Sequence, residues 1–175
     1  GYVQSILETP QGRMLFLDTK PDEPGHHGAY CRERAAWLSS KLGVGNGPVF
    51  LFMHHPWFAF GIPSVDVLLL REPEHFLQAI HGHEHRIRQV FFGHFHRPVG
   101  GVWRSIPFTA AQATVHQIAL DMANPVGVPV SGEEPGYRVA LISQDTVVSH
   151  VCSLIRGEVA YRMSDEDQPE VGGQP

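Results

Sequence analysis

Apolar and polar positions change period several times along the 175-residue chain. Residues 2–8 alternate weakly, and residues 13–18 return after Pro10-Gln11-Gly12. Spacing and turn chemistry predict a β-hairpin there. A loop punctuated by Pro21, Pro24, Gly25 and Gly28 follows. Over residues 32–42, Ala35, Leu38 and Leu42 share one helical face with Trp37 beside them. Gly43-Val44-Gly45-Asn46-Gly47 should end that helix. Residues 48–53 are wholly apolar, as in a strand covered on both faces.

Beyond a loop through Phe58-Ala59-Phe60, residues 73–81 predict a short helix with Phe76, Leu77 and Ile80 inward. Residues 89–92 read as the next strand, and residues 102–106 as a third short one. Residues 124–136 are rich in Pro and Gly and form a loop. Residues 137–143 and 146–154 close the pattern as a hairpin around Gln144-Asp145. Helices alternate with strands in the middle and hairpins flank them, so the class is α/β with mixed sheets. The domain is expected to span 1–163. The acidic, then Gly/Pro-rich stretch 164–175 is expected to be a flexible tail. Gly1 falls inside a strand-like segment and is read as a boundary of the chain.

Composition narrows the function classes. Hydrophobic residues make up 42% and charged residues 18%, as in a soluble globular domain. A net charge of −5 argues against a nucleic-acid polymer as partner. No apolar run approaches the roughly 20 residues needed to span a bilayer, so no membrane is expected. Cys31 and Cys152 lie far apart and form no CxxC, which predicts no disulfide and a cytoplasmic location.

The candidate chemistry lies in histidines. Met53-His54-His55-Pro56 closes one apolar strand, and Gly93-His94-Phe95-His96 closes another. Ligands gather at the carboxyl ends of strands in open α/β sheets. Gly93 permits a turn there, and an H-x-H can then serve two adjacent metals or one. His54, His94 and His96 make a plausible set for Zn, Mn or Fe; the alternative is hydrogen-bonded or solvated strand-end histidines. His81-Gly82-His83-Glu84-His85 follows a helix and suits a solvated helix end. His26-His27 belongs to a loop. His116 could approach a bound phosphate or could pack in a sheet.

Leu17-Asp18-Thr19, Gly28, Trp37-Leu38, Met53-His54-His55-Pro56, Gly93-His94-Phe95-His96 and Thr114-Val115-His116-Gln117 occur in that order. This series resembles the calcineurin-like metallophosphoesterases, in particular their bacterial cyclic-nucleotide and glycerophosphodiester phosphodiesterase branch. The resemblance implies part of a β-sandwich of mixed sheets with flanking helices, and a dinuclear metal centre at the strand ends. It implies that His54 and His94 ligate one metal and His96 the other, with His55 and His116 toward substrate. The cofactor would be a divalent Mn, Fe, Zn or Co, and the substrate a small phosphodiester.

The chain also departs from that pattern. No Asp-x-His, Gly-Asp-x-x-Asp or Gly-Asn-His segment precedes Met53, and Trp57 replaces a second Pro after His55. Asp18 belongs to a motif that is not metal-ligating in the family. The resemblance is therefore to the C-terminal portion, and no catalytic residue is assigned within this chain. Weak metal binding and little hydrolysis are expected of it alone. Uncovered strand faces favour a homo-oligomer or pairing with the missing N-terminal half. The alternatives are a non-catalytic fold remnant or assembly module, and a mononuclear three-histidine zinc enzyme.

Overall fold

The first alternating segments do pair. In a computed structural model describing residues 2–154, β1 (Ser5–Thr9) lies antiparallel to β2 (Gly12–Phe16). The tail expected at 164–175 lies outside the described residues. The long loop after β2 ends in β3 (Gly28–Ala29). Next comes α1 (Arg32–Leu42), which buries Ala35, Leu38 and Leu42. Gly43 closes it in a right-handed conformation; the left-handed residue is Gly45, at φ 70°.

β4 (Val49–Met53) follows, then a single helical turn, α2 (Pro63–Asp66), which the apolar pattern did not announce. β5 (Leu70–Arg71) pairs parallel with β3 and pins the long loop. The second long helix, α3 (Glu74–Ile80), buries Phe76, Ala79 and Ile80, and leads into β6 (Ile87–Phe92).

The expected single strand at 102–106 is instead a hairpin of β7 (Val99–Trp103) and β8 (Ile106–Ala110). The turn falls inside the expected strand, at Arg104 and Ser105, with Arg104 left-handed at φ 53°. No Gly, Asn or Pro marks it, and the two glycines nearby, Gly100 and Gly101, sit in the edge strand. The short pair β9 (Gln117–Ile118) and β10 (Val130–Ser131) precedes the last hairpin, β11 (Gly136–Ile142) with β12 (Val147–Ser153).

The main sheet has the order β1-β2-β4-β6-β8-β7. Its four inner strands, β2, β4, β6 and β8, run parallel, with antiparallel edges. Their carboxyl ends therefore share one rim. Leu15, Leu51 and Val90 form one face of the sheet and join Leu38, Leu42, Phe76 and Ile80 of the helices in one core. Each such large apolar side chain contributes about 1.5–3 kcal/mol when fully buried.

The next residue along each of β2, β4 and β6 points to the opposite face. There Phe16, Phe52 and Phe91 stack ring on ring, with centroids 4.8 and 4.6 Å apart, and none of the three is fully buried. The order of strands and helices thus agrees with the expected α/β class with mixed sheets. Among the described residues, no helix is long and apolar enough to cross a membrane, and Cys31 and Cys152 are free thiols.

Candidate metal centre

Three adjacent parallel strands deliver the polar residues of one site. Thr19 follows β2, His54 and His55 follow β4, and His94 follows β6. The rim is where a parallel sheet leaves its loops free to diverge and make a crevice. Ligand-capable atoms of His54, His55 and His94 all lie within 4.8 Å of one another. Their ring centroids are 4.6–5.2 Å apart.

Packing explains why these rings converge. Phe95 is fully buried against Phe60, 4.1 Å between ring centroids, and belongs to a small second core with Ile62, Val65 and Ile118. Anchoring that one ring leaves the flanking imidazoles, His94 and His96, on the outside of a tight loop. The loop is tight enough that both take left-handed backbone conformations, at φ 69° and 47°. His is more tolerant of that region than most residues, but it is still an unusual conformation to find twice in three positions.

Glycines make the remaining space. A Cβ at Gly93 would come within 2.6 Å of His54 Nδ1, and one at Gly28 within 2.5 Å of His55 Cβ. Gly28 is thus a spacer, and the long loop closes onto the site because it carries no side chain there. A cavity of about 530 Å³ opens beside the cluster, lined by Lys20, His26, His54, His55 and His94 among others.

The electrostatics suit lone-pair donors. Burial lowers the pKa of His94 to about 4, aided by the neighbouring His54 and His96 imidazoles. His55 falls to about 3, mainly through burial and then through His94 and His54. His54 is open at its outer edge, yet desolvation of its crowded ring and the nearby His96 also push it down. All three rings are therefore neutral at pH 7, the form in which imidazole binds metal. The Nε2 of His94 is buried with no hydrogen-bond partner. Such an orphaned nitrogen, aimed among other nitrogens, fits a divalent transition ion.

The remaining histidines are placed differently. His96 stands beside His116, with centroids 4.7 Å apart, and its Nδ1 meets the His116 carbonyl at 3.0 Å. His96 is near enough to influence His54 and His94, yet the tight cluster is formed by His54, His55 and His94. His116 is exposed, in the segment just before β9, and is not packed within a sheet. His81 is exposed and faces Glu84 at 3.6 Å, in keeping with a solvated helix end.

Asp18 lines the cavity, but its carboxylate accepts from the Val3 and Lys20 amides and lies 3.6 Å from buried Arg34. No carboxylate joins the cluster among the described residues. Thr19 has no ligand-type side chain. Its sequence signals are its place in Leu17-Asp18-Thr19 and its position two residues beyond an apolar strand segment that ends at Leu17.

No family model matches the chain. A probable cyclic nucleotide phosphodiesterase of Rhodopseudomonas palustris is 32% identical over 168 residues, covering 94% of this chain and 61% of that protein. A probable glycerophosphodiester phosphodiesterase of Arcobacter nitrofigilis is 29% identical over 168 residues, covering 95% of this chain and 61% of the relative. These relatives support the resemblance to the calcineurin-like metallophosphoesterases. A crystallised dimetal phosphatase from Danio rerio shares the fold, with a TM-score of 0.62 at 13% identity over 87% of this chain and 58% of that one. The chain spans 61% of the length of the two curated relatives above. Its histidine cluster and its fold together indicate binding of a divalent metal.

Proposed function

We propose that this chain forms the histidine side of a metal-dependent phosphodiesterase centre and represents the C-terminal portion of such a domain. The observation that carries this reading is the convergence of His54 and His94 from two neighbouring parallel strands, with one buried nitrogen unpartnered. The names of the relatives support a small phosphodiester of the cyclic-nucleotide or glycerophosphodiester class as substrate. A divalent ion held there supplies Lewis acidity toward phosphoryl oxygens and a nucleophile drawn from water.

The residues present have separate tasks. His54 and His94 offer neutral nitrogens, kept so by desolvation. His96, one step out and beside His116, is available to a second ion. His55 walls the cavity at 7% exposure, and Lys20 at the rim is a cation suited to an anionic ester. A dinuclear centre also needs carboxylates to offset its charge. Those would come from a polypeptide bearing Asp-x-His and Gly-Asp-x-x-Asp segments. Among the described residues no carboxylate joins the cluster, which equally fits a second reading, a fold remnant that binds metal without turning over substrate.

Hydrolysis of bis-p-nitrophenyl phosphate with added Mn²⁺ tests the choice, run on this chain with and without such a polypeptide. Turnover that requires both, and is lost in His94→Ala, supports the phosphodiesterase reading. Zinc or manganese bound by the chain, with no turnover in either mixture, supports the remnant.

A further inference from the structure

Three imidazoles meet at the rim, but one of them is already engaged. Thr19 is almost fully buried, at 2% exposure, and its Oγ1 has two neighbours, both from His55. The His55 backbone N–H donates to it at 3.3 Å, and His55 Nδ1 lies 2.8 Å away. A hydroxyl has a single hydrogen to give. If Nδ1 carried a proton, the oxygen would face two donors, and its own hydrogen would lack an acceptor in a nearly dry place. Leaving a buried polar hydrogen unmet costs about 1–3 kcal/mol. The backbone of His26 also acts as an acceptor toward this imidazole, which suits an N–H on the nitrogen that Thr19 leaves free.

We infer that Thr19 is a positioning residue that donates to His55 Nδ1 and so fixes His55 as the Nε2–H tautomer, a hydrogen-bond donor and not a metal ligand. This separates three side chains that distance alone makes equivalent. His94 presents a bare nitrogen and His54 an open ring edge, whereas the Nδ1 lone pair of His55 is committed to Thr19. His55 thereby becomes the peg on which the loop after β2 hangs. The loop leaves at Thr19, whose carbonyl accepts from the Ala29 amide at 3.0 Å, and returns through Gly28, which abuts His55 Cβ. Between those two points it supplies Lys20, Pro21, Gly25 and His26 to the cavity wall. A closed three-histidine zinc site is then disfavoured, because one of the three lacks a free lone pair. The ligand half of this inference rests on the metal-centre reading; the tautomer does not.

Long-range ¹H–¹⁵N correlation spectra of the ¹⁵N-labelled chain test it without any assay of activity. The expected result in metal-free protein is a His55 Nε2–H with Nδ1 unprotonated and at a hydrogen-bonded shift. Thr19→Ser should keep that signature, and Thr19→Val should move Nδ1 to the shift of a free lone pair. On addition of zinc, the nitrogens of His54 and His94 should move as ligands and those of His55 should not. A protonated Nδ1 would overturn the inference, as would an Nδ1 shift unchanged in Thr19→Val or ligand-like movement of His55 with zinc. If Thr19→Val does not fold, the wild-type and Thr19→Ser spectra still decide the tautomer. Failure of zinc to bind while the Thr19-dependent signature persists would remove the metal reading and leave the positioning role standing.

Discussion

Burial of neutral histidines makes the fold sensitive to acid. The pKa values of His55 and His94 are lowered in the folded state, to about 3 and about 4, from an ordinary value near 6.5. Between those limits the unfolded chain binds more protons than the folded one, so stability increases with pH across that window. It is fully present above about pH 6.5 and is lost as the pH falls toward 4. Urea denaturation midpoints should therefore drop steadily from pH 7 to pH 5, and replacing His55 by Asn should flatten the slope. An unchanged slope would show that other groups dominate. The convergence of His54 and His94 was legible through strand-end position, since each follows an apolar strand. The roles of His55 and Thr19 were not, because adjacency in sequence cannot tell which of two neighbouring imidazoles meets a hydroxyl 36 residues away.

Elements with strong periodicity were readable almost to the residue. Helix α1 spans the expected 32–42, because three apolar positions on one face find a sheet to cover. β4 and the last hairpin are close to expectation for similar reasons. The hairpin β7–β8 was not, since its turn uses Arg104 in a left-handed conformation and carries no Gly, Asn or Pro. The loop after α1 is a subtler case. Its carbonyls at Leu42, Val44 and Gly47 are gathered by the buried guanidinium of Arg86, from the 3-10 turn before β6. In sequence Arg86 simply follows the His81–His85 run, with nothing to mark it as buried. Removing it would leave the Leu42 and Gly47 carbonyls short of a donor, while Val44 keeps Arg13, and Arg86→Ala should cost about 2–4 kcal/mol in urea unfolding. A loss below about 0.5 kcal/mol would mean that water replaces the guanidinium without penalty.

Taken whole, the molecule has one well-covered sheet face and one that is only partly covered. Phe16, Phe52 and Phe91 form a stacked row on the second face, and the outer hairpin exposes Val139, Leu141, Val148 and Val151. Contiguous apolar surface of this kind promotes association. Light scattering should show a mass that climbs with protein concentration, and Phe52→Ser with Phe91→Ser should reduce the climb. A monomer at every concentration up to the millimolar range would rule this out. The α/β class, the parallel centre and the position of the site at one rim were legible in the strand–helix alternation. The extent of uncovered surface was not, because an apolar strand reads the same whether or not a second layer lies over it.

The two left-handed histidines carry an evolutionary consequence. Backbone geometry at positions 94 and 96 favours asparagine or glycine over most side chains. Selection for a sturdier fold and selection for an imidazole therefore pull these positions in different directions. A library sorted only for thermal resistance should enrich His94→Asn, and its Tm should equal or exceed that of the parent while zinc affinity is lost. A marked fall in Tm for His94→Asn would show the reverse, that the ring's packing outweighs the backbone. On the expected outcome, drift unopposed by function would erase the site before it damaged the scaffold. Imidazoles still present at both positions would then record how recently, or how continuously, that chemistry has been in use.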